Sequence, residues 1–318
     1  MRNNFLIFLL LLFFNQLFSQ TGIEVDELVK KYPKKFSTSK ILADRILNDF
    51  KTDYSKARAI FTWIALNITY DIDASLIPIQ TTSFSYSSEK DKQAKLADKN
   101  KKKCLKTFQS QKGLCSDYAL LFQEIATKVG LKSQVIKGAS KTLIADIDRK
   151  KAPTDHDWNA VEIDGIWRLI DVTWSAGSLN LATQKFNKEF NPVYFDMPQE
   201  LFFKQHFPQT ETWLNQKLDD KDFLNGPLFF KTYYTNTIDL ISPKLGVLRV
   251  KANQKIVFTI QNLKLTDKIY YKSLNQKSIE VQSQNKTDFI ISCDELIENE
   301  LIIFLNQNAI IAYKIIKS

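Results

Sequence analysis

Histidine is nearly absent from this chain: of 318 residues, only His156 and His206. A general base that works near neutral pH is usually a histidine, so a site that needs one has two candidates. Cysteine is almost as scarce. Cys104, Cys115 and Cys293 form no CxxC pair, and with two histidines they supply a zinc site poorly, so neither a metal nor another cofactor is expected. An odd cysteine count also excludes a fully paired disulfide scaffold. The longest apolar run, Phe5 to Phe14, is too short to span a bilayer core. No aromatic residue interleaves with the lysine-rich tract KDKQAKLADKNKKK, residues 90 to 103, so nucleic acid is not an expected partner.

What is present describes a globular protein. The composition is 44% hydrophobic and 25% charged, and the length allows two domains. The opening MRNNFLIFLLLLFFNQLFSQ has a basic Arg2, the apolar run, a polar step and the small Ser19, which is the layout of a secretory signal cut after residue 19. The mature protein is therefore expected to be secreted or periplasmic, with no stable membrane insertion after cleavage. Formal charge is +9, and the lysine tract could meet an anionic cell-envelope polymer, although a solvated face or loop explains it more simply.

The pattern along the chain predicts an α+β fold. Residues 22 to 50 read as helical around a loop, and Ala57, Ile60, Phe61, Ile64 and Ile68 recur on one helical face with Asp53 placed to cap it. Residues 75 to 103 are weakly periodic and read as loop and short helix. In QKGLCSDYALLFQEIATKVG, Tyr118, Phe122, Ile125 and Val129 follow helical spacing to Gly130, which puts Cys115 at a helix N-terminus. Unpaired amides and the positive end of the macrodipole favour a thiolate there. A small buried residue is the plainer alternative.

Beyond this helix the period changes. SQVIKGAS alternates, and HDWNAVEIDGIWRLIDVTW is two strand-like runs joined by Asp164-Gly165, a strong hairpin signal. Positions paired across that turn sum to 329, so His156 faces residue 173 and Asp171 lies on the diagonal of the same face. His206, ahead of a proline among aromatics, reads as structural or surface. Residues 179 to 231 are irregular and aromatic and are expected to wrap the sheet. From residue 232, seven short strand-like runs predict a small immunoglobulin-like β-sandwich carrying no chemistry. The expected division is 1 to 19 signal, 20 to 231 a first α+β domain and 232 to 318 sandwich.

A helix-start cysteine, a hairpin histidine and a cross-strand acid form a thiol-catalysis constellation. Together KARAIFTWIALNITYD, KGLCSDYALLFQEIATKVGL, DHDWNAVEIDGIWRLIDVTWSAG and YFDMPQELFFKQHFPQTETW, within residues 53 to 214, resemble the transglutaminase-like superfamily of papain-like fold, in its kyphoscoliosis-peptidase and cytokinesis-associated branch. The resemblance implies Cys115 as nucleophile, His156 as base and Asp171 as orienting acid. It also implies Trp158 and Trp174 as walls of the substrate cleft, with core packing as the alternative for both. No DxDxDG run is present for the ions of calcium-dependent members. Cys104 is read as an inert thiol, with a disulfide to Cys115 as the alternative.

The expected activity is acyl transfer on a protein or peptide, either hydrolysis or crosslinking. A catalytically silent module binding peptides or glycans, and a small Cys-His wall amidase, remain open.

Overall fold

The computed structural model describes residues 21–77, 85–180, 183–210, 220–275, 277–283 and 285–317. The signal expectation falls on residues 1 to 19 and lies outside them. Thr21 opens the first helix, α1 (Gly22–Val29), through a reciprocal capping box with Glu24. Thr38 and Thr52 cap α2 (Ser39–Asp49) and α3 (Asp53–Asn67) in turn. The α3 cap is thus one residue before the expected Asp53, because the threonine hydroxyl reaches the Ser55 amide. Asp26 of α1 and Arg58 of α3 form a buried two-pronged pair at 2.8 and 2.6 Å, and Thr62 adds a third bond to the same carboxylate. The guanidinium also lies over Phe195 at 4.9 Å, so one ion pair locks three segments together.

Where loop and short helix were expected, α4 (Glu89–Ser110) runs for 22 residues. Ser88 caps it, and the pairs Lys95–Asp91 and Lys102–Asp98 span successive turns. Only Cys104, Thr107 and Phe108 are buried. Charge pairing, which periodicity does not detect, therefore supports most of this helix, and the lysine tract lies largely on its solvated faces. Next comes α5 (Cys115–Lys128), beginning at the expected residue.

Behind α5 lies an antiparallel sheet of β1 (Ser133–Ser140), β2 (His156–Ile163), β3 (Ile166–Ile170) and β4 (His206–Pro208), in the order β3-β2-β1-β4. The β2–β3 register keeps the predicted sum: Asn159 pairs with Ile170 and Ile163 with Ile166. Asp164 and Gly165 both take positive φ, 51° and 80°, as a tight hairpin turn requires. One face of the sheet, through Val161, Ile163 and Ile170, joins the core of α1, α2, α3 and α5. The other, through Ile136, Trp158, Ala160 and Leu169, joins a second core shared with the C-terminal strands.

All seven C-terminal runs are strands, joined by an eighth, Asp239–Ser242, ahead of them. That strand forms a three-stranded sheet with Lys255–Gln261 and Asp288–Ser292. Facing it are Val247–Val250, Asn308–Lys317, Glu300–Leu305, Ile269–Lys272 and Ser278–Val281, in that order, with Leu228–Phe229 paired to Asn308–Lys317. Phe258 and Ile291 from one sheet and Ile303 and Tyr313 from the other share one core. No helix among the described residues is long and apolar enough to cross a membrane.

Candidate active site

Cys115 is the first residue of α5 and is partly exposed. The Asp117 carboxylate accepts the Leu114 amide at 2.8 Å and so caps the helix one residue ahead of the thiol. Lys103 of α4 bridges the same turn, 3.0 Å from Asp117 and donating to the Ser116 hydroxyl at 2.7 Å. Asn159 of β2 donates to the Ala119 carbonyl at 3.0 Å and pins α5 against the sheet. The helix start that presents the thiol is therefore held from both sides.

His156 opens β2, opposite Gly138 of β1. The expected diagonal to Asp171 forms by a different route. β3 ends at Ile170, and Asp171 caps a short helix, α6 (Val172–Ala176), its Oδ1 accepting the Trp174 amide at 2.9 Å. From there Oδ2 accepts from His156 Nε2 at 2.7 Å. The carboxylate accepts the Nε2 proton, which leaves the other ring nitrogen available, and the Cys115 thiol interacts with this imidazole and raises its proton affinity. Burial works against the charged ring, but the Asp171 charge, its hydrogen bond and the thiol together raise His156 to about 10. Burial likewise opposes the charge on Asp171, yet the bonds and charge of the two histidines hold it well below the usual carboxylate range. An imidazolium bound to a carboxylate is the result.

The second histidine was expected to be structural or at the surface, and it lies at the same point. His206 Nε2 is 2.9 Å from the same Oδ2, and both His206 and Asp171 are buried. Burial keeps its proton affinity below the ordinary value, against the pull of Asp171. No signal in sequence spacing pointed to it, because β4 is three residues long and the carboxylate lies 35 residues upstream.

The ligand atoms of His156, Asp171 and His206 lie within 4.8 Å of one another. Their 2.7 and 2.9 Å contacts are shorter than the roughly 3.3 Å between donor atoms around a tetrahedral zinc with bonds near 2.0 Å. The spacing fits shared protons and is tighter than tetrahedral zinc ligation.

Cys115 and His156 open onto a cleft of about 500 Å³ walled by Tyr70, Trp174, Phe186 and Tyr194. Of the two tryptophans expected to wall a substrate cleft, Trp174 lines this one. Trp158 does not line it: it is 1% exposed, on the sheet face packed against the C-terminal core, with Phe202 and His206 against its ring, the core-packing alternative. Trp158 was implied only by the family resemblance, which does not say which of the two rings reaches the cleft. Tyr70 was not singled out from the sequence. Burial raises its hydroxyl to about 12, with the charges of Cys115 and Asp117 adding to the effect, so it stands close to the thiol.

Cys104 interacts with Glu124 of α5, and both Cys104 and Cys115 are free thiols. Burial, reinforced by Glu124, pushes the Cys104 thiol up to about 12.

Residues 40–172 match the transglutaminase-like superfamily. Kyphoscoliosis peptidase of Homo sapiens is 30% identical over 225 residues, covering 70% of this chain and 31% of that protein. Its Mus musculus counterpart is 28% identical over 243 residues, covering 75% and 33%. The chain thus spans about a third of the length of these relatives. A solved structure of a TGase is similar at a TM-score of 0.30 and 15% identity, over 57% of this chain and 40% of that one. Residues 40–172, which include the helix-borne Cys115, the strand that His156 opens and Asp171, thus carry a transglutaminase-like domain.

Proposed function

We propose that the protein is an exported cysteine enzyme that transfers acyl groups from protein or peptide substrates, chiefly to water. The observation that carries this reading is that the Cys115 thiol and the His156 ring line one cleft while the buried Asp171 carboxylate holds that ring at 2.7 Å. The thiolate attacks a substrate carbonyl, the C–N bond breaks, and His156 gives its proton to the departing amine. Water then attacks the thioester carbonyl, His156 takes its proton, and the C–S bond breaks to restore the thiol. An amine in place of water makes the same site a crosslinker. Backbone amides at the start of α5 are the proposed donors to the developing oxyanion, and Tyr70 lines the same cleft. The peptidase named among the relatives supports hydrolysis as the main outcome.

Iodoacetamide alkylation, followed at each cysteine by mass spectrometry across pH, tests the reading. Cys115 is expected to label at least tenfold faster than Cys104 and Cys293 at neutral pH, and to slow in His156→Ala and Asp171→Asn. Slow labelling indifferent to His156 would leave a silent peptide- or glycan-binding module as the function. Export is tested separately, by whether the mature chain begins at Gln20.

A further inference from the structure

Asp171 offers Oδ2 to two imidazoles. His156 donates at 2.7 Å and His206 at 2.9 Å, while Oδ1 is held by the Trp174 amide. His206 sits in an aromatic box: Phe202 stacks on it at 4.0 Å, Trp174 lies at 4.4 Å and Trp158 meets it edge-on at 5.2 Å. A position that existed only for packing would suit phenylalanine there, with no polar atom to bury. Instead the chain places its second histidine in the box and aims the ring at the oxygen that its first histidine already uses.

The groups facing His206 are few. They are the Asp171 carboxylate, the His156 ring and the Phe202 carbonyl, 3.3 Å from Nδ1. A neutral ring has one proton to place, and the carboxylate is the stronger acceptor, so the proton belongs on Nε2. The bond also joins the two edges of the sheet. Asp171 follows edge strand β3, and His206 begins the opposite edge strand β4, where it pairs with Ser140.

We infer that His206 is a positioning residue of the Cys115 site, fixing the Asp171 carboxylate and sharing its charge with His156. The inference rests on the reading of Cys115, His156 and Asp171 as the reacting group. With two donors on Oδ2, the carboxylate binds the His156 proton less tightly than it would with one, which leaves that ring better able to release its proton to a leaving amine.

The chain's two histidines make the test direct, because ring 15N and 1H spectra of the untagged full chain contain only two imidazoles. In the native protein His206 is expected to carry its proton on Nε2; a proton on Nδ1, pointing at Phe202, overturns the inference without any variant. The His156 ring is then titrated in His206→Gln, whose amide can reach the same oxygen, and in His206→Phe. The phenylalanine variant is expected to raise the His156 midpoint by about half a pH unit or more, and glutamine to return it towards the native value. A phenylalanine variant that melts like the native protein with the His156 midpoint unmoved shows a packing role only and overturns the inference. Alkylation of Cys115 in the same samples separates the two claims. Slow native labelling with coupled histidines removes the enzyme and keeps His206, whereas fast labelling with an unmoved His156 does the reverse.

Discussion

Three hydrogen bonds converge on the two oxygens of Asp171, a side chain with no exposure to solvent. The pairing with His156 has a pH signature. An imidazole raised from about 6.5 to about 10 contributes stability that is complete below pH 6.5 and is lost as pH rises through 10. His206, whose proton affinity is lowered, acts with the opposite sign, costing stability as pH falls through about 6.5. The stability advantage of the native chain over His156→Phe, read from melting curves, is therefore expected to shrink between pH 6.5 and 10. A second buried pair tests the helical half. Arg58→Leu strands the Asp26 carboxylate, which retains only Thr62, and is expected to cost about 3–5 kcal/mol in denaturant unfolding. Cys115, His156 and Asp171 were legible because a helix start and a hairpin are local patterns whose register can be counted. His206 and Tyr70 were not, since each reaches the site by tertiary packing that leaves no periodic mark.

At the scale of elements, β1 runs between β2 and β4 at a point where a side chain cannot fit. A Cβ added to Gly138 would lie 2.2 Å from the Phe207 carbonyl oxygen and 2.4 Å from the Trp158 ring. Gly138→Ala is expected to destabilise by about 1–3 kcal/mol and to slow Cys115 labelling, because His156 pairs directly with Gly138 across the strands. Melting curves and alkylation rates check the two halves of this expectation. The hairpin was readable from Asp164-Gly165, where one dipeptide fixes both turn type and register. α4 was hidden for the opposite reason: its stability comes from Ser88 and charge pairs on a helix with little apolar face. β4 was hidden by its brevity.

The whole molecule is joined through the sheet face opposite α5. Trp158, Leu169, Tyr194 and Phe202 share their core with Tyr233, Phe258, Ile303 and Tyr313, and Leu228–Phe229 pairs with the last strand. Lys141 makes a further tie. Burial lowers its ammonium to about 7, with Asp146 opposing, and its Nζ donates to the carbonyls of Phe223 and Gly226. A chain ending at residue 231 would expose this shared face. It is expected to lose cooperative unfolding, and with it fast Cys115 labelling, in the same assays. The seven strand runs were legible as strands, but their burial against the sheet that carries His156 was not, because an alternating pattern shows that a face is covered without naming what covers it.

Placing both histidines on one carboxylate leaves the described surface of the protein with no imidazole at all. A readout specific for acylated imidazole, such as the ultraviolet signature left by diethylpyrocarbonate, therefore reports on these two buried rings alone. Its growth measures how far a reagent penetrates the cleft, which makes this protein its own probe for any molecule that enters and shields the site.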